Sequence, residues 1–222
     1  MQFIKNNKFY LGCFLIFLLL GAGVLLNIQQ GDAILFFSER RNPYTDFFFK
    51  YFTKVGEEHG YILVISIFMF VRFRYALLSF LAGVSALILS YLIKSYFKHP
   101  RPKVYFSREG TLDQLQTIDG VYLLSGSLSF PSGHTASGFA LYGLIAFLVG
   151  KRWYWQIALF LVAFLVGLSR IYLIQHFLKD VYLGAIVGTF IAWVIYIINS
   201  RFPYNDKRWI DRSFGKKRLD QA

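Results

Sequence analysis

Three short stretches of this chain combine residue types that can bind and cleave an anionic group. "SRIYLIQHFLKD", residues 169–180, sets Arg170, His176 and Asp180 into one of the most apolar parts of the sequence. On a helix His176 and Asp180 share a face one turn apart, so the carboxylate can orient the imidazole. A neutral histidine held through one ring nitrogen presents the other as a nucleophile or base, and the carboxylate stabilises the cation that develops. Arg170 would fall on a different face of a continuous helix. This predicts that one helix ends near Arg170 to Tyr172 and that a short turn precedes the next.

"PSGHTASG", from Pro131, offers Ser132 as a helix N-cap, Gly133 where an anion can approach the backbone, and His134 in the first turn. Free N–H groups and the positive end of the helix dipole would face that anion. "KSYFKHPRP", residues 94–102, carries Lys94 and Arg101 across a helix end, because Pro100 and Pro102 cannot continue a helix. Both cations could reach one anion. Taken singly, each stretch has a plainer reading: a basic anchor at a helix end, an interfacial histidine bonded to a neighbour, and an ion pair used for packing. Charges inside a membrane segment are nevertheless costly and functional by default.

The elements that must position these residues are membrane helices. The 222 residues are 56% hydrophobic and 20% aromatic, with a mean hydropathy of +0.46, too apolar for an ordinary soluble domain. Uncharged runs cover residues 9–31, 75–93, 120–150, 153–169 and 181–200, against a requirement of about 20 apolar residues per spanning helix. A sixth, His59 to Val71, is short and can span if its helix begins near Glu57 and if Arg72 and Arg74 snorkel toward the headgroups. No two-residue alternation suggests a membrane barrel. The expected fold is all-α, a polytopic bundle of about six transmembrane helices over residues 1–200, followed by a basic cytoplasmic tail over 201–222. The first span lacks a small-residue cleavage site and reads as a retained helix rather than a signal peptide. Cys13, the single cysteine, reads as a small packing residue.

The net charge of +12 could suggest nucleic acid, but its placement argues for topology and anionic lipid. With a cytoplasmic amino terminus, Lys5, Lys8, Arg72, Arg74, Lys151 and Arg152 fall inside, as do Arg201, Lys207, Arg208, Arg212, Lys216, Lys217 and Arg218 of the tail. Both termini are then cytoplasmic in an inner membrane, and no nucleic-acid partner is needed. Lys94, Lys98, Arg101, Lys103, Arg108, Arg170 and Lys179 fall on the outer side, against the positive-inside tendency. An anionic substrate group is the obvious reason for them to be there.

The ordered set Lys94/Arg101/Pro102, Pro131 to His134, and Ser169/Arg170/His176/Asp180 resembles the type 2 phosphatidic acid phosphatase superfamily, which also includes vanadium haloperoxidases. The resemblance extends in span pattern over about residues 9–200 and implies a phosphatase with no metal and no cofactor, its site at the outer membrane boundary. It implies that Lys94, Arg101, Ser132, Gly133 and Arg170 bind the phosphoryl group. His176 would attack phosphorus, Asp180 would hold it, and His134 would protonate the leaving oxygen and activate water. The expected substrate is a membrane lipid phosphate or diphosphate. A phosphotransferase of the same superfamily and a non-catalytic anion-binding membrane protein are the alternatives, and a haloperoxidase fits a spanning chain less well. Members often carry Gly before the third-motif histidine and Pro-Ser before its aspartate, where this chain has Ile174-Gln175 and Leu178-Lys179.

The long segment 99–130 is expected to hold a short helix and to select the substrate. Gly184 and Gly188 form a small-xxx-small pattern for close helix packing. "DFFFKYF", residues 46–52, reads as an interfacial amphipathic stretch or the outer end of the second helix. With three cations in place of a divalent ion, phosphate release should be unchanged by EDTA; strong inhibition in that assay would mean a metal participates.

Overall fold

The computed structural model describes residues 2–205 and 207–214. Among the described residues there are ten α-helices: α1 (Gln2–Asn6), α2 (Lys8–Asn27), α3 (Asp32–Glu39), α4 (Pro43–Phe52), α5 (Glu58–Val71), α6 (Phe73–Phe97), α7 (Pro102–Arg108), α8 (Gly133–Val149), α9 (Trp153–Tyr172) and α10 (Leu178–Ser200). Four of them, α2, α6, α9 and α10, are long and apolar enough to cross a membrane. The other two expected spans, α5 and α8, are shorter, with 14 and 17 residues. At about 1.5 Å per residue they reach roughly 21 and 26 Å, less than the hydrocarbon core.

The uncharged run over 120–150 is only half helix. Its first part is an irregular loop with Gly120 and Gly126 at positive φ and Tyr122 almost fully exposed. Helix α8 begins where Ser132 accepts the Thr135 N–H as N-cap. Helix α5 starts at Glu58 with Glu57 as N-cap residue, as expected. "DFFFKYF" belongs to a separate amphipathic helix, α4, capped by Asn42 and divided from α5 by the 3₁₀ turn Thr53–Gly56.

Helix α8 lies at the centre, with Phe139, Ala140, Leu141 and Leu144 wholly buried. Helix α10 packs on it through Gly184 and Gly188. A β-carbon at Gly184 would stand 2.7 Å from the Ser132 carbonyl oxygen, and one at Gly188 would collide with the carbonyl of Ala136. Small residues let the two backbones approach, which brings the start of α8 beside the start of α10. On its other side α8 meets α9, where Val166 lies over Gly138.

The end of the bundle opposite the motifs is closed by polar anchors. Gln156, fully buried, accepts the N–H groups of Phe9 and Tyr10 and donates to the carbonyls of Asn6 and Gly150. Arg74 departs from the sequence expectation. Rather than snorkelling toward headgroups, it is buried, with Nη2 2.6 Å from Asp211 Oδ2 and Nη1 on Asn199 and the Phe202 carbonyl. Asp211 draws the start of the tail back onto α6, so Arg74 is neutralised by protein and not by lipid. Lys216, Lys217 and Arg218 lie outside the described residues.

Gly188→Val should destabilise the protein by about 1–3 kcal/mol through overpacking against α8. Gly12→Val, where an added β-carbon meets nothing within 4 Å, should change stability by no more than about 0.5 kcal/mol. Thermal unfolding of both variants in detergent checks the difference.

Candidate active site

The end of α9, the turn that follows it and the first turn of α10 build one half of the site. Helix α9 stops at Tyr172, within the range expected from the placement of Arg170. The Arg170 carbonyl accepts the N–H groups of both Gln175 and His176, closing a tight turn that carries His176 out of the helix. The His176–Asp180 pair is therefore not made along a helix face. Phe177 is the N-cap residue of α10, and Asp180 bends back from the first turn so that Oδ2 accepts the Phe177 N–H at 3.0 Å. The same oxygen stands 3.3 Å from His176 Nδ1. Ser129 completes the group, donating to Asp180 Oδ2 at 2.5 Å with its Oγ 3.4 Å from His176 Nδ1. Nδ1 is thus the ring nitrogen turned to the carboxylate, which leaves Nε2 as the other face of the imidazole.

The second half comes from α6, α8 and the loop between them. The Ser132 N–H donates to the Asp180 carbonyl at 2.9 Å, which ties the start of α8 to α10. Ser132 is wholly buried, and its Oγ also accepts the Thr135 hydroxyl at 2.8 Å. A β-carbon at Gly133 would lie 3.8 Å from Lys94 Nζ, so Lys94 in the last turn of α6 lies beside the first turn of α8. Lys98, in the left-handed conformation, ends α6; two backbone bonds, Ser129 N–H to the His99 carbonyl and Arg101 N–H to the Gly126 carbonyl, then zip the two limbs of loop 99–130 together. Arg101 Nη1 approaches the Gln175 carbonyl at 3.3 Å. Helix α7 is the short helix expected in this loop.

A third contributor comes from the N-terminal half of the chain. Arg170, 5% exposed, donates to Thr53 Oγ1 at 2.7 Å. Glu57 Oε1 lies 2.8 Å from His134 Nε2 and 3.8 Å from Arg170 Nη1. Lys94, Arg101, Arg170, Ser132, Gly133, His134, His176 and Asp180 all stand at one end of the bundle. Lys98, Lys103 and Arg108 are exposed, and Lys179 is taken up by Gln30 in the turn between α2 and α3.

Burial pushes His176 down to about 3, with Arg170 and Arg101 adding to the effect and Asp180 opposing it. The imidazole is consequently neutral through the physiological range, the form with a lone pair to donate. The hydrogen bond from His134 holds the Glu57 carboxyl below the usual carboxylate range, against the opposing effect of burial. Glu57, Glu58 and His59 also bring ligand-type atoms within 4.8 Å of one another. Glu57 is already bonded to His134 and the other two are exposed, unlike the enclosed ligand sets of bound metals.

Residues 73–204 match the PAP2 superfamily. The chain belongs to that superfamily. A lipid A 4'-phosphatase of Bacteroides thetaiotaomicron is 30% identical over 170 residues, 74% of each chain. The crystal structure of Aquifex aeolicus LpxE superposes with a TM-score of 0.63 at 25% identity, covering 79% of this chain and 98% of that one. A transmembrane PAP2-type phosphatidylglycerolphosphate phosphatase from Bacillus subtilis gives a TM-score of 0.60 at 24% identity, covering 92% and 100%, a likeness of fold. The chain is accordingly an all-helical membrane phosphatase of the PAP2 superfamily, a phosphoric ester hydrolase.

In this PAP2 protein the turn before His176 departs from glycine at a cost. Ile174 has φ +57°, a left-handed conformation that a β-branched residue rarely adopts. Its side chain is 1% exposed and packs in a cluster with Ile34, Phe106, Leu115, Phe177 and Val181. The strain costs about 1–3 kcal/mol, and burying the side chain returns a similar amount, about 1.5–3 kcal/mol. Glycine would hold the turn alone; isoleucine also ties it to α3 and to the loop that carries α7. Arg41 adds a second tie, donating to the Tyr172 carbonyl at 2.7 Å.

Removing that side chain should cost about 2–5 kcal/mol in Ile174→Ala. Ile174→Gly should be more stable than the alanine variant by about 0.5–1 kcal/mol, the reverse of the order in a helix, because only glycine adopts this φ without strain. Denaturant unfolding of the two variants in detergent measures the order.

Proposed function

We propose that this PAP2 protein is an integral membrane lipid phosphate phosphatase. It hydrolyses a phosphomonoester or diphosphate of a membrane lipid through a phosphohistidine. Polyprenyl diphosphate, phosphatidic acid, phosphatidylglycerol phosphate and lipid A are the substrate types that fit. The observation that carries the reading is the convergence of Lys94, Arg101 and Arg170 with His134 and His176 at one end of an apolar bundle. Three cations so close repel one another and are costly in such a place unless an anion binds among them.

Lys94, Arg101 and Arg170, with the Ser132 hydroxyl and the N–H groups around Gly133, hold the phosphoryl oxygens and stabilise the charge of the transition state. His176 Nε2 attacks phosphorus while the bond to the lipid oxygen breaks, and His134 gives that oxygen its proton. Asp180 stabilises the positive charge that spreads over His176. Water then attacks the phosphohistidine, the N–P bond breaks, and His134 takes the water proton, which restores both histidines and releases phosphate. The tail-bearing part of the substrate remains in the bilayer. Basic residues at the opposite end of the bundle support an orientation with both termini cytoplasmic and the site facing outward or toward a periplasm.

His176→Ala should lower phosphate release by roughly 10⁴-fold or more, with the bundle still folded and the acid-labile phosphoenzyme lost. Phosphate release from a panel of lipid monophosphates and diphosphates in detergent tests the function. Retained turnover in the variant would sink the nucleophile assignment, and transfer of label to an added alcohol would reassign the protein as a phosphotransferase. Vanadate binding without any turnover would make it an anion-binding protein.

A further inference from the structure

We infer that Glu57, outside all three motifs, is a positioning residue for the reaction. Its carboxylate holds His134 through Nε2, so that Nδ1 faces the substrate, and it stabilises the imidazolium from which the leaving oxygen draws its proton. The inference rests on the phosphatase reading above and adds a second carboxylate–histidine pair to it. Glu57 would serve His134 as Asp180 serves His176.

Three observations carry it. Glu57 occupies the N-cap position of α5, where a side chain ordinarily accepts a backbone N–H of its own helix. It makes no such bond. Its Oε1 instead turns across to α8 and meets His134 Nε2 at 2.8 Å. The backbone on either side is pinned to α8, because Tyr142 donates to the Val55 carbonyl at 2.7 Å and Tyr61 to the Ser137 carbonyl at 2.9 Å. Gly56 lies tight under Val166 of α9, so the turn has little room to move. Glu57 is therefore aimed by the fold and sacrifices a helix cap to reach His134.

The charged groups around His134 are Glu57 at the start of α5, Arg170 on α9 and Lys94 on α6. Asp180 and His176 lie beyond Ser132 on the α10 side, and the exposed His59 is next but one to Glu57. Two of the three closest are cations that oppose a protonated imidazole. Glu57 alone among those three favours it, and this is why a neutral residue at 57 should move the proton equilibrium of His134.

The experiment compares wild type, Glu57→Gln and Glu57→Asp as full chains in detergent, measuring phosphate release from a lipid monophosphate against pH and inhibition by vanadate. Glu57→Gln should lower kcat by roughly 10- to 100-fold and move the basic limb of the kcat/KM profile down by about one pH unit. Vanadate inhibition should stay within about threefold of wild type, since the phosphoryl-binding cations are intact. Glu57→Asp, with the carboxylate kept but drawn back, should restore part of the pH limb. If Glu57→Gln fails to fold, the aspartate variant must still shift the limb in the same direction. An unchanged profile and kcat would overturn the inference. So would unchanged kcat with vanadate bound ten times more tightly, because Glu57 would then merely compete with phosphate for Arg170 and His134. A wild type that releases no phosphate would overturn the phosphatase reading, whereas an active wild type matched by Glu57→Gln would overturn only the role of Glu57.

Discussion

The carboxylate of Asp180 is the joint on which the candidate-site end of the bundle depends. One oxygen accepts the Phe177 N–H and so starts α10; the same oxygen takes the Ser129 hydroxyl and faces His176. The backbone carbonyl of Asp180 accepts the Ser132 N–H and so sets the start of α8. A fully buried carboxylate is expensive without such donors. Here the donors all fall on Oδ2, Oδ1 having no hydrogen-bond partner among the described residues, and the same donors position the start of α10 and the imidazole.

Small side chains make that joint reachable. With Gly184 and Gly188 against the backbone of α8, the first turns of α8 and α10 come close enough for a main-chain hydrogen bond between Ser132 and Asp180. Helices in lipid gain little from burying apolar surface against each other, so close packing and buried hydrogen bonds carry more of the association. The polar ties at the two ends have divided tasks. Gln156 and the Arg74–Asp211 pair close the end away from the site, while Arg41, Thr53 and Ser129 hold the groups around Arg170 and His176.

Much of this could be read from the chain. Residue type and spacing located Lys94, Arg101, His134, Arg170, His176 and Asp180 at one end, the break after α9, the cap at Ser132 and the small-residue packing face. The association of His176 with Asp180 was legible, but its geometry was not, because a four-residue spacing fits a helix face and a folded-back cap equally well. Ser129 and Glu57 carried little signal: a serine in an uncharged run and a glutamate before a helix are commonplace. A glutamate at a position that favours Ser, Thr, Asp or Asn was the one hint. Arg74 misled because a charge near a membrane helix end reads as lipid-facing until a buried partner some 140 residues later is known to return to it.

The sequence by itself determined the class of fold and the chemistry on offer. Hydrophobic runs require helices in lipid, and the cations and histidines placed against the expected charge distribution are residue types that an anion site would use. Tertiary structure alone decided which polar groups share a hydrogen bond. It paired His134 with Glu57 and placed Ser129 between Asp180 and His176. It also held Ile174 in a left-handed turn by burying its side chain against α3 and the loop beyond α6. Such pairings depend on distances of a few tenths of an ångström between segments far apart in the chain. Local sequence sets propensities over one or two turns, and only the packed bundle fixes separations at that scale.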